Sequence, residues 1–179
     1  TQRNPEDDNP GLDGFASIGV EVAVGRLLNV PDGSSSALVQ ARRRVELVEF
    51  IQEQPFVIAR ARPIYEPTQV ERELEASMRT ALDLFHRCVQ LDRSLSEEAY
   101  LYALNIEEPG WLADMITTAI APPLQQRMGL LQALDPAERL QRVIKLLAQE
   151  ADVLELEDQI HTRAQDEVDR SQREFYLRE

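Results

Sequence analysis

Glu157, Asp158 and His161 are the residues whose types and spacing come nearest to reaction chemistry. On a helix, Glu157 and His161 (i,i+4) and Asp158 and His161 (i,i+3) share a face. That is half of the carboxylate–histidine arrangement that holds metals in helical bundles. The other half needs a second such pair, and the only other histidine, His86, lacks a matching Glu-x-x-His spacing. The trio therefore reads as a surface hydrogen-bond cluster, and no metal is expected. His86 and Cys88 do not share a helical face, so Cys88 reads as core or boundary packing. Nucleophiles are equally poorly supplied. Every basic residue except Lys145 is arginine, so a Ser–Lys pair must use Lys145, which sits mid-helix between Ile144 and Leu146. A Ser/His/Asp set would need His86 or His161, both inside helical stretches. Neither G-x-S-x-G nor the phosphate-cradling G-x-x-x-x-G-K-[ST] is present. No catalytic residue and no cofactor site is expected in this chain.

What remains is contact chemistry. Trp111 is the sole tryptophan. One reading packs it in the core beside Leu112; the other leaves it exposed to grip extended polypeptide. A net charge of −13 argues against nucleic acid, because phosphate binding needs clustered basic charge. The one basic run, Arg42-Arg43-Arg44, reads as a solvated strand face with Glu46 and Glu49 nearby. The 179 residues, 43% of them hydrophobic and 28% charged, suit one or two packed domains. No run reaches the length of a membrane span, and no signal peptide is evident. A single cysteine excludes an internal disulfide framework and points to a reducing, cytoplasmic setting.

These residues need elements to position them. The first 14 residues are turn-rich and acidic and read as a loop. Residues 18–30 alternate Ile18, Val20, Val22 and Val24 with small or polar residues, which is strand spacing. Pro31-Asp32-Gly33 supplies a hairpin turn. A returning strand over 38–50 and a third over 56–64 follow, with Pro55 and Pro63 at strand ends, where proline is tolerated. A three-stranded sheet has open edges that need covering. After Pro67 the period becomes 3.6. Val70, Leu74, Met78, Leu82, Phe85 and Val89 predict a helix over 68–91. Ser96 caps a short helix, Pro109 opens another with Leu112, Met115, Ile116, Ala119 and Ile120 buried, and Pro122-Pro123 seeds a fourth over 124–134. The expected fold is α+β: a partial antiparallel β-domain (1–67), a helical bundle (68–134) and a long helix (135–179).

That long helix opens on Asp135 as N-cap, Pro136 at the first helical position and Glu138 for a capping box. Its stripe of Leu140, Ile144, Leu147, Ala151 and Leu154 packs on the bundle. Past Ile160 the stripe thins to Ala164 and Val168. At 1.5 Å per residue it would span roughly 66 Å, so its second half is expected to project, held by weak i,i+4 pairs such as Asp166–Arg170 and Asp169–Arg173. A helix running to Glu179 without a stop signal suggests a chain cut from something longer.

Several segments resemble the N-terminal region of Lon, the ATP-dependent serine protease family. Val30-Pro31-Asp32-Gly33 is similar to the hairpin of the family's small β-domain. Asn105-Ile106-Glu107-Glu108-Pro109-Gly110-Trp111-Leu112-Ala113-Asp114 resembles its I-x-[DE]-P-x-x-L-A-D helix start. Asp135-Pro136-Ala137-Glu138-Arg139-Leu140 is similar to its D-x-x-x-R-L start of the long helix, and Ser171-Gln172-Arg173-Glu174-Phe175-Tyr176-Leu177 to its S-Q-R-E-Y-Y-L. Order and spacing together carry the resemblance over nearly the whole chain. The chain departs from the family in lacking the first strands and helix of a PUA-like barrel, and in Asp166, Glu167 and Asp169 where lysines are common. The resemblance implies a non-catalytic module that recognises unfolded or damaged proteins and helps organise a homo-hexamer. It also implies that ATP, Mg and a Ser–Lys dyad belong to modules outside this chain. Expected contact residues are Leu27, Val30, Trp111, Arg163, Arg170, Arg173, Phe175 and Tyr176. A different class of protein, a stand-alone adaptor or scaffold self-associating through the long helix, is the alternative.

Overall fold

The computed structural model describes residues 1–29, 35–67, 71–92 and 94–176, with side chains described as far as residue 165. Its elements are strands β1 (Ile18–Asn29), β2 (Ser35–Gln52) and β3 (Ile58–Pro63), then helices α1 (Arg72–Leu91), α2 (Glu97–Ala103), α3 (Pro109–Ile120), α4 (Leu124–Gln132) and α5 (Pro136–Tyr176). The chain divides into two compact units, residues 1–67 and 68–179. The expected α+β class is what the structure shows.

In the first unit the described strands form one antiparallel sheet in the order β1-β2-β3. Ile18 pairs with Glu46, Val20 with Arg44 and Val24 with Val39, and register shifts interrupt the ladder after Glu21 and after Val24. Such bulges bend a strand and sharpen its twist. The first residues are tied down. Ala16 N–H donates to the Thr1 carbonyl at 2.8 Å, and Arg3 Nε donates to the Phe15 carbonyl at 3.0 Å. The Phe15 ring tilts against Phe50, 5.9 Å between centroids. Only Ala16 and Ile18 are buried apolar residues among those described here, while Val22, Val24 and Leu38 are exposed.

The arginines of the run find acidic partners outside their own strand. Arg43 pairs with Glu21 at 2.8 Å and Arg42 with the same carboxylate at 3.7 Å; Arg44 reaches Glu66 at 3.5 Å. Glu46 and Glu49 pair instead with Arg62 and Arg60. Register explains these pairings: Glu21 lies opposite Arg43, Glu46 opposite Arg62 and Glu49 opposite Arg60. Directly opposed charges are neighbours, whereas residues along one strand alternate faces.

The second unit is a bundle with a core of Ala81, Phe85, Cys88, Ala103, Ile106, Leu112, Ala113, Ile116, Leu130, Leu140, Val143, Leu147 and Ala151. Ser96 caps α2 by accepting from the Glu98 N–H at 3.1 Å. Pro109 occupies the first turn of α3, and Ala121 ends that helix with a left-handed φ of 42°. Asp135 caps α5 by accepting from Ala137 N–H at 3.0 Å. Glu138 does not complete a capping box. Its carboxylate pairs with Arg142 one turn on, at 2.6 Å. Helix α5 runs 41 residues, about 60 Å. Its buried face steps through Arg139/Leu140, Val143, Leu147 and Ala151. Beyond it, Val153, Leu156 and Ile160 are exposed, and so is every residue from 161 to 165.

Candidate functional site

A surface with aromatic contact chemistry lies on α2 and α3. In α2, Ala103 turns inward at 0% exposure, which fixes the helix rotation. Leu101, Tyr102 and Leu104 must then face outward, and all three are about half exposed. In α3, Pro109, Gly110, Leu112 and Ala113 are buried, so Trp111 between them is turned out, 50% exposed. The two helices bring Tyr102 and Trp111 edge to face, 6.0 Å between ring centroids. Such a pair adds about 0.5–1.5 kcal/mol beyond area burial and holds both rings in place. The result is a rigid apolar surface with a hydroxyl and an indole N–H at its border.

A buried cation supports it from behind. Arg139 is 0% exposed. Its Nε donates to the Ala133 carbonyl at 2.9 Å and its Nη2 to the Leu134 carbonyl at 3.4 Å, closing the end of α4. Its Nη1 donates to the Gly110 carbonyl at 3.3 Å and meets the Asp114 carboxylate at 3.5 Å, so it also grips the start of α3 next to Trp111. A buried guanidinium is tolerable only with such a complete set of acceptors.

Beside this surface α1 carries a shallow groove of about 410 Å³, lined by Glu75, Met78, Arg79, Leu82 and Glu107. Its Met and Leu floor is apolar and adaptable. The opposite side of α1 is stitched to α5: Gln141 donates to Ser77 Oγ at 2.9 Å, and Arg87 pairs with Glu155. Cys88 lies in the core with its Sγ 3.6 Å from the Leu147 carbonyl. Burial, and secondarily the Glu150 charge, push its pKa up to about 11. It is a packing residue, not a nucleophile. His86 stacks on Tyr100 at 4.4 Å. Glu157, Asp158 and His161 are exposed on α5, and among the described residues no group of side chains is arranged to hold a metal.

The structure places the expected contact residues far less evenly than the sequence reading did. Trp111 is exposed and paired. Leu27 is 69% exposed on β1, in the first unit. Arg163 is exposed on α5. Arg170, Arg173, Phe175 and Tyr176 lie on the α5 backbone beyond the described side chains, and Val30 lies outside the described residues. Tyr102 and Arg139 were not among the expected residues. Both carried a signal: Tyr102 is out of phase with Ala99, Ala103 and Ile106, and Arg139 stands four before Val143 on the inward stripe.

An α+β chain whose distinctive chemistry is an exposed aromatic pair on a helical bundle is of the binding-module class. The particular family follows from comparison with known proteins. A family model described as the ATP-dependent protease La (LON) substrate-binding domain matches residues 1–149. The chain is 39% identical over 162 residues to Lon protease 2 of Herpetosiphon aurantiacus, covering 90% of this chain and 20% of the relative. It is 33% identical over 179 residues to Lon protease of Heliobacterium modesticaldum, covering 100% and 22%. Among solved structures, the N-terminal domain of the Mycobacterium avium complex Lon protease shares the fold, with a TM-score of 0.67 at 21% identity over 78% of this chain and 74% of that one. The chain belongs to the Lon substrate-binding domain family. It spans about a fifth of the length of the curated relatives it matches. Among the described residues no helix is long and apolar enough to cross a membrane.

Proposed function

We propose that this chain captures unfolded or damaged proteins for an ATP-dependent, Lon-type protease in the cytoplasm, and that the Tyr102–Trp111 surface is a contact it uses. The observation that carries the reading is the exposure of Trp111, half open to solvent on a rigid helix start. A folded client hides its apolar segments; an unfolded one presents them, and a preorganised aromatic platform binds them at low entropic cost. The ATP, Mg and Ser–Lys chemistry of such a protease would reside in other modules.

The exposed Val153, Leu156 and Ile160 of α5, spaced by three and four, support a second role in the same machine. A helix face of this kind buries itself against a neighbouring subunit, which fits a contribution to hexamer assembly. The same stripe would serve self-association if the chain acted as a scaffold.

The test is binding of a permanently unfolded client and of its folded form, read by fluorescence anisotropy on the chain and its Trp111→Ser variant. Selective binding of the unfolded form, weakened at least several-fold by the substitution, is expected. The variant should cost only about 1–2 kcal/mol of stability, as for a half-exposed aromatic. Equal, negligible binding to both client forms overturns the recognition role.

A further inference from the structure

Residues 94–126 hold five carboxylates, Glu97, Glu98, Glu107, Glu108 and Asp114, and no lysine, arginine or histidine. The same stretch contains the exposed apolar side chains Leu101, Tyr102, Leu104, Trp111 and, at the start of α4, Leu124. Asp114 meets Arg139, and Glu107 shares the α1 groove with Arg79. Glu97, Glu98, Glu107 and Glu108 are exposed, and among the described residues none of them is in an ion pair. By contrast, the exposed Glu49 and Glu138 and the partly buried Glu21, Glu46 and Glu155 are paired with arginines. Glu98 stands one helical turn before Tyr102, and Glu108 three residues before Trp111. They flank the aromatic pair along both helices.

We infer that the Tyr102–Trp111 surface selects apolar client segments flanked by lysine or arginine, with the unpaired carboxylates of Glu98 and Glu108 as its specificity determinants. The inference rests on the client-capture reading above and narrows it. An aromatic platform alone takes any apolar segment; an uncompensated acidic border favours cationic flanks and rejects anionic ones. Exposed pairs are individually weak, so two of them give a preference of about three- to ten-fold that salt erodes.

The probes are three peptides with one apolar, aromatic centre and flanks of lysine, serine or glutamate, titrated against the full 179-residue chain. The lysine-flanked peptide is expected to bind tightest and the glutamate-flanked one weakest, with the difference collapsing in high salt. The double variant E98Q/E108Q should lose that ranking while keeping its affinity for the serine-flanked peptide. The control E157Q/D158N on α5 removes the same charge elsewhere and should keep the ranking. Equal affinities for the three peptides, or a ranking that E98Q/E108Q leaves intact, overturns the selectivity but not the capture. A ranking lost equally in both double variants assigns it to net charge and also overturns it. Failure of all three peptides to bind overturns the capture reading itself.

Discussion

Arg139 shows how one residue can organise the ends of three elements. From the start of α5, its guanidinium joins the carbonyls just past the end of α4 to the first turn of α3. Arg139→Met keeps much of the volume but strands three backbone carbonyls and the Asp114 carboxylate, the Ala133 and Gly110 carbonyls in buried positions. A loss of about 3 kcal/mol or more is expected, measured by urea denaturation. Lysine at this position is no rescue, because it cannot present a planar fork to diverging carbonyls. Cys88 makes the opposite kind of prediction. Its folded pKa of about 11 exceeds the ordinary 9.0, so the unfolded chain ionises first as pH rises. The stability that the buried thiol protects is complete below about pH 9 and is lost between pH 9 and 11. A thiol reagent at neutral pH should label the native chain slowly and the urea-unfolded chain at once. At this scale the sequence was only partly legible. Cys88 could be read as packing from its helical position, but Trp111 could not be settled, because neighbouring phases of a short helix differ by one residue and tertiary packing chooses between them.

At the scale of elements, periodicity and end signals carried most of the information. Ser96 and Asp135 were readable as caps, and both accept the expected backbone N–H. Replacing either by alanine should cost about 1 kcal/mol, visible as a drop in thermal midpoint with the fold retained. Glu138 was less legible, since a capping box and an i,i+4 ion pair use the same residue, and Arg142 won. Strand ends were also less legible than strand cores. The third strand was expected over 56–64 and forms as Ile58–Pro63. The Phe56 carbonyl accepts instead from the Gln52 side chain at 2.9 Å, which closes the β2–β3 loop before pairing begins. No periodic signal reports such a local bond. The arginine pairing was opaque for a related reason: cross-strand partners depend on register, and the bulges that set it leave no mark in the hydrophobic alternation.

For the molecule as a whole, the division of apolar burial decides where cooperativity resides. Among the described residues the core cluster of the bundle holds thirteen buried residues, whereas the described part of residues 1–67 buries only Ala16 and Ile18 as apolar residues. Small units with so little buried area are rarely stable alone. Residues 68–179 expressed separately should therefore keep a cooperative helical unfolding transition, followed by far-UV circular dichroism, and residues 1–67 alone should show none. A separate bundle that melts without cooperativity would show that its core does not suffice for independent folding. The charge composition has a practical consequence of another kind. Lys145 is the chain's one lysine and stands exposed on α5. Apart from the chain's amino terminus, amine-reactive reagents have a single address, on the helix that carries the exposed stripe of Val153, Leu156 and Ile160. A dye or cross-linker placed there reports on the neighbourhood of that helix alone. On these 179 residues, whatever binds α5 can be mapped from one chemically unambiguous point, with no engineered substitution.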